Sequence, residues 1–164
     1  MQKIFSVPLN PKLSREEFEE FVSFLKAYEH LIYDVYFTSR ISPFVQDAMG
    51  DIFVHNEDYS HAIDMAVLIQ NATGIPVSAT FNNIQVPPTQ KNLDIFLKNF
   101  KPIYDVGVRV ATIPHTHWMA TGQIKRAFPD LMVKNTILRD VRTATEIVNL
   151  AKYGYDYINL DRDL

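Results

Sequence analysis

Asn10-Pro11-Lys12-Leu13-Ser14 is the loop that leaves the first apolar run of the chain, and it contains no glycine. A doubly wound nucleotide-binding sheet needs a glycine-rich turn at that place, where backbone must come close to a phosphate. No Gly-x-Gly-x-x-Gly and no Gly-x-x-x-x-Gly-Lys occurs elsewhere either. The loop therefore favours the other architecture built from alternating strands and helices, a (β/α)8 barrel. On its N-terminal side, Ile4 to Leu9 reads as a strand stopped by Asn10-Pro11. On its C-terminal side, Ser14-Arg15-Glu16-Glu17 has the spacing of a capping box. Phe18, Phe21, Val22, Leu25 and Tyr28 then form the apolar stripe of an amphipathic helix.

The same alternation continues. Tyr33 to Ser39 is β-branched and aromatic and predicts a second strand, and Ile41 to Asp58 reads as an excursion. Tyr59 to Ala72 predicts a helix terminated by Gly74. Strands are predicted at Val77 to Phe81, Val108 to Ile113, Leu131 to Leu138 and Tyr155 to Leu160. Helices are predicted between them: one capped by Thr89 and carrying Leu93, Phe96, Leu97 and Phe100, one over Trp118 to Phe128, and one over Thr143 to Tyr153 with Thr143 and Glu146 as its capping box. The expected fold is α/β, a partial (β/α)8 TIM-like barrel of about six parallel strands and five helices, forming one truncated domain over residues 1–164. Tyr33-Asp34, Tyr104-Asp105 and Tyr155-Asp156 recur at strand entrances, where an Asp bonds free turn amides.

Composition narrows the function classes. The chain has 164 residues, 47% hydrophobic and 21% charged, which excludes a disordered polypeptide. Its net charge of −3 supplies no global field for nucleic acid. The chain has no cysteine, which removes disulfides, Cys-ligated zinc, a Cys-ligated iron–sulfur cluster and a Cys nucleophile. This composition fits a cytoplasmic protein. No apolar run is long enough to span a membrane, and the first residues lack the apolar core of a signal peptide.

Asn135-Thr136-Ile137-Leu138, a capped helix, and then Lys152-Tyr153-Gly154-Tyr155-Asp156-Tyr157-Ile158-Asn159-Leu160-Asp161-Arg162-Asp163-Leu164 resemble the U32 (collagenase-like) peptidase family. Phe100 to Gly107 and Arg126 to Asp130 follow the same family order. The likeness covers about Val77 to Leu164 and, weakly, Tyr33 to Ser39. It implies a TIM-like barrel and a hydrolase acting on peptides, or the related branch that hydroxylates RNA bases or quinone precursors. The alternative is a non-catalytic binding or assembly module, since the family's cysteine-containing signature is missing.

In a barrel, function sits where strands end, at the C-terminal rim. Those ends supply Ser39-Arg40, Asn82-Asn83, His115 and His117, Asn135, and Asp161-Arg162. His115 and His117 are the catalytic candidates and, with Asp161, the candidate ligands of a divalent metal. The competing reading of His-Thr-His is a polar helix N-terminus. Asn82, Asn83, Asn135 and Arg162 are candidate substrate contacts through amide and guanidinium hydrogen bonds. Asn82-Asn83 also reads as a plain turn, and Arg162 as a surface ion pair. Lys125, Arg126, Lys134, Arg139 and Arg142 read as a solvated basic face, and His55 and His61 as loop and cap residues. Six strands leave two open edges, so a second copy or a partner chain is expected to complete the barrel.

Overall fold

Ser14 sets where the first helix begins. Its hydroxyl accepts the Glu17 amide while the Glu17 carboxylate accepts the Ser14 amide, so two donors at the helix start are satisfied reciprocally. Thr143 and Glu146 repeat the device at the last helix. In the computed structural model, which describes residues 5–38, 42–44, 56–138 and 140–161 with the side chains of 56–60 left aside, five strands and six helices follow in alternation. They are β1 (Phe5–Pro8), α1 (Arg15–Ala27), β2 (Ile32–Thr38), α2 (Asn56–Thr73), β3 (Val77–Thr80), α3 (Gln90–Asp105), β4 (Val110–Thr112), α4 (Thr116–Ala120), α5 (Gln123–Ala127), β5 (Met132–Lys134) and α6 (Ala144–Lys152). A short 3-10 turn, Glu29–Leu31, leads into β2.

Every strand pair is parallel and the order is β1-β2-β3-β4-β5. Sequential order means that each crossover steps in one direction. Right-handed crossovers then put all the helices on one face, and the other face turns inward. A doubly wound sheet would reverse its order partway. The fold is therefore the partial TIM-like barrel.

Helix-side residues of the strands are apolar: Val35 and Phe37, then Val77, Ala79 and Phe81, then Ala111 and Ile113, then Val133, all buried in one core with residues of the helices. Aromatic rings fill the layer between β3, α3 and α4. Phe96 lies 5.0 Å from Phe81, 5.4 Å from Phe100 and 5.6 Å from Trp118, ring centre to ring centre. Edge-to-face and offset contacts of this kind add to area burial.

Four elements differ from expectation, one of them β5, which ends at Lys134 instead of reaching Leu138. The single helix expected over Trp118 to Phe128 is two short ones, because Gly122 adopts φ +69 between them. A side chain there would also sit 2.9 Å from the Arg126 guanidinium. The helix capped by Thr89 runs on through Pro102 to Asp105, held by burial of Ile103 and the Lys101–Asp105 pair. The sixth strand is reduced to one parallel bridge, Lys134 to Tyr157. Among the described residues no helix is long and apolar enough to cross a membrane.

Candidate active site at the strand ends

The last residues of β2, β3, β4 and β5 are Thr38, Thr80, Thr112 and Lys134, and they are direct register partners from strand to strand. In-register residues of a parallel sheet point to the same face. Three hydroxyls and one ammonium thus form a single row along the C-terminal rim, on the face away from the helices. They line a cavity of about 290 Å³ together with Ser6, Tyr36, Asn82, Ile137 and Asn159. The opposite parity carries the apolar core, and polarity alternates with period two along β3, whereas the inward parity of β4 and β5 begins with Val110 and Met132. Val77-Ser78-Ala79-Thr80-Phe81-Asn82 shows the pattern most plainly.

Beneath the row, Lys134 reaches back across the interior to Asp34 on β2, and their Nζ and Oδ2 are in contact. Three strand steps separate β2 from β5, about 14 Å in a flat sheet. Side chains of these lengths meet only if the sheet curls around them, so the ion pair is a direct mark of barrel curvature. The Asp34 side chain is 0% exposed and that of Lys134 10%. Asp34 Oδ1 has no hydrogen-bond partner among the described residues, nor do Ser78 Oγ and Asn82 Oδ1. Tyr33 borders the pair, its ring centre 5.6 Å from Lys134 Nζ and 5.0 Å from the Tyr157 ring. Burial, and after it the adjoining Tyr157, holds the Tyr33 hydroxyl above the ordinary tyrosine range.

Of the residues expected at the rim, Asn82 lines this cavity. Asn135 is buried and binds backbone. Its Oδ1 accepts the Asn159 amide at 2.5 Å, its Nδ2 donates to the Asn159 carbonyl at 3.1 Å, and Asn159 Nδ2 donates to the Asn135 carbonyl at 2.6 Å. The pair staples the end of the chain to β5 and sets Asn159 in the cavity wall. Asn83 makes a turn: its Oδ1 accepts the Gln85 amide at 3.0 Å and its Nδ2 donates to the Pro43 carbonyl at 3.2 Å. His115 is buried with its ring centre 4.5 Å from that of Trp118, whereas His117 is exposed on α4. Neither imidazole lines the cavity. Asp161 takes the Arg142 guanidinium. Among the described residues no group of three His, Asp or Glu side chains could hold a metal, so His115, His117 and Asp161 are not brought together as one site. Arg162, Ser39, Arg40, Arg139 and His55 lie outside the described residues.

Four residues depart from their expected roles. Asp34 does not bond turn amides, as its place after Tyr33 suggested, but carries the buried charge. Nor does Asp156, which accepts the Val133 amide of β5 at 2.7 Å and pairs with Lys125, or Asp105, which pairs with Lys101. Lys134 is not part of a solvated basic face but points into the barrel.

No family model matches the chain, and no curated protein matches it. Solved structures do match in fold. A protein assigned as a phosphonomutase from Burkholderia cenocepacia J2315 superposes with a TM-score of 0.61 at 15% identity, over 96% of this chain and 62% of that one. Oxaloacetate acetylhydrolase gives 0.58 at 11%, over 97% and 52%. 2,3-Dimethylmalate lyase, a PEP mutase/isocitrate lyase superfamily member, gives 0.56 at 13%, over 96% and 52%. The chain thus spans roughly half to three-fifths of the length of these proteins. At such identities the likeness is one of fold. It corrects the expected kinship with U32 peptidases, and with it the peptide-hydrolase and RNA or quinone-hydroxylation readings, since the matching folds are those of a phosphonomutase, an oxaloacetate acetylhydrolase and a 2,3-dimethylmalate lyase, none of them a peptidase. The segments that carried the U32 resemblance fold as a turn, a capped helix and a one-residue bridge. These are generic parts of any βα repeat, which explains why they misled.

Proposed function

We propose that this chain is a lyase-type enzyme domain, one domain over residues 1–164, that takes a small carboxylic acid at the rim cavity. The observation that carries the reading is the row Thr38–Thr80–Thr112–Lys134 above the buried Asp34. Three hydroxyls and the Asn82 amide offer hydrogen bonds to carboxylate and carbonyl oxygens, and Lys134 is the one cation lining the cavity among the described residues. The volume suits a compact acid rather than a polymer. The proteins of similar fold include ones named for oxaloacetate and 2,3-dimethylmalate, which supports the same substrate class. A second copy of the chain is proposed to cover the open side of the sheet. β1 is an edge strand, and Phe5, Val7, Phe24, Tyr28, Leu31 and Ile32 line an apolar cavity of about 400 Å³ beside it.

Titration calorimetry with oxaloacetate and with malate-type diacids tests the substrate class. Binding is expected, and Thr80→Val, which removes one hydroxyl at nearly constant shape, should weaken it by roughly 5- to 10-fold. No heat with any acid, or an unchanged affinity in Thr80→Val, would remove the reading.

A further inference from the structure

We infer that Lys134 forms a covalent imine with the carbonyl carbon of a 2-oxo acid, with Asp34 as the group that takes and returns the proton. The inference rests on the proposed carboxylic-acid site and goes beyond it, since holding an acid needs only the charge of Lys134.

The placement carries the argument. Lys134 ends β5 and its amine is the only nucleophilic nitrogen in the cavity wall among the described residues. A desolvated lysine beside an acid–base partner is the arrangement that carbonyl chemistry at an amine requires. Asp34 meets that need: its Oδ2 touches Nζ, and Oδ1 has no hydrogen-bond partner among the described residues. Thr112 and Thr80 continue the row from Lys134. An acid whose carboxylate lies along those hydroxyls places the adjacent carbonyl carbon next to Nζ.

The step balances without a co-reactant. Asp34 takes one proton from the ammonium. The amine adds to the carbonyl carbon, a C–N bond forms, and the carbonyl π pair becomes a hydroxyl after proton return. Asp34 then takes a second proton from the nitrogen and passes it to that hydroxyl, water leaves, and the nitrogen lone pair closes the C=N bond. The product is a protonated imine and water. Its positive charge sits where the ammonium's did, so ionised Asp34 has its counter-ion before and after the step. A purely structural ion pair would have no such second use.

The experiment incubates the full chain with pyruvate, 2-oxobutyrate or oxaloacetate and adds borohydride, which reduces an imine to a stable secondary amine. Intact mass should rise by one reduced adduct per chain, and peptide mapping should place it on Lys134, with no need for a variant. Lys134→Arg keeps the charge and should show no adduct. Asp34→Asn, checked for fold by circular dichroism, should trap about a hundredfold more slowly. Calorimetric binding without any adduct would overturn this inference and leave the proposed site standing. Neither binding nor adduct would overturn both. Adducts spread over surface lysines, or persisting in Lys134→Arg, would overturn the inference as well.

Discussion

Taking away one half of the Asp34–Lys134 pair leaves a charge inside the barrel without its counter-ion. Such a loss costs about 3–5 kcal/mol, whereas removing both charges together costs little. Lys134→Met is therefore expected to lower the urea midpoint sharply, and Asp34→Leu combined with Lys134→Met to restore most of it. A double variant that loses the sum of what Asp34→Leu and Lys134→Met lose singly would mean the pair is not coupled. At this scale the sequence was least informative. Asp34 and Lys134 are 100 positions apart, and nothing local to either tells a buried partner from a solvated one. Asp34 shares its Tyr-Asp setting with Asp105 and Asp156, yet each finds a different partner: Lys134, Lys101 and the Val133 amide of β5. The polar parity of β3 was visible in Ser78, Thr80 and Asn82, and it is the signal from which the inner face could have been read. His-Thr-His drew attention as a motif, but the helix start at Thr116 divides its two imidazoles between interior and surface.

Elements were far more legible, because capping and periodicity are local. Both capping boxes and the sequential strand–helix alternation were present in the sequence. What escaped were features decided by tertiary contacts, such as the run of α3 past Pro102 and the shrinking of the last strand to one bridge. The capping boxes give a pH dependence of definite sign. The backbone amide of Ser14, then its hydroxyl, holds the Glu17 carboxyl below its ordinary value. The Arg142 amide, then the Thr143 hydroxyl and amide, do the same for Glu146. A carboxyl depressed in the folded state binds protons more readily when unfolded. Its contribution is thus present above the unfolded value near 4.5 and lost as pH falls through the folded one. Hydrogen-exchange protection, corrected for intrinsic rate, should fall at the first turns of α1 and α6 below about pH 4.5 more in the native chain than in Glu17→Gln and Glu146→Gln. An equal loss of protection in all three would show that the boxes do not titrate. At neutral pH, Ser14→Ala and Thr143→Ala should each cost about 1 kcal/mol in urea denaturation.

For the whole molecule, five parallel strands in sequential order close only part of a barrel, and β1 ends the sheet. Phe5 and Phe24 are 52% and 47% exposed beside that edge, next to Tyr28. An edge strand bordered by apolar side chains favours association. Light scattering across a range of concentrations should show a dimer, and Phe24→Glu should shift it toward monomer by at least about tenfold in dissociation constant. A monomer at all concentrations would discard the second copy. The curl that brings β2 to face β5 has a temporal consequence. The contact between residues 34 and 134 cannot exist until every strand from β2 to β5 is in place, so it closes a long loop and rewards only a nearly finished sheet. The pair therefore belongs to the end of folding. In chevron measurements Lys134→Met should leave the folding limb almost untouched and raise the unfolding rate, a φ-value near zero. A slowed folding limb would instead place the pair in the nucleus. The residues that set the chemistry of the rim would then also govern how long a folded molecule lasts, and much less how fast it forms.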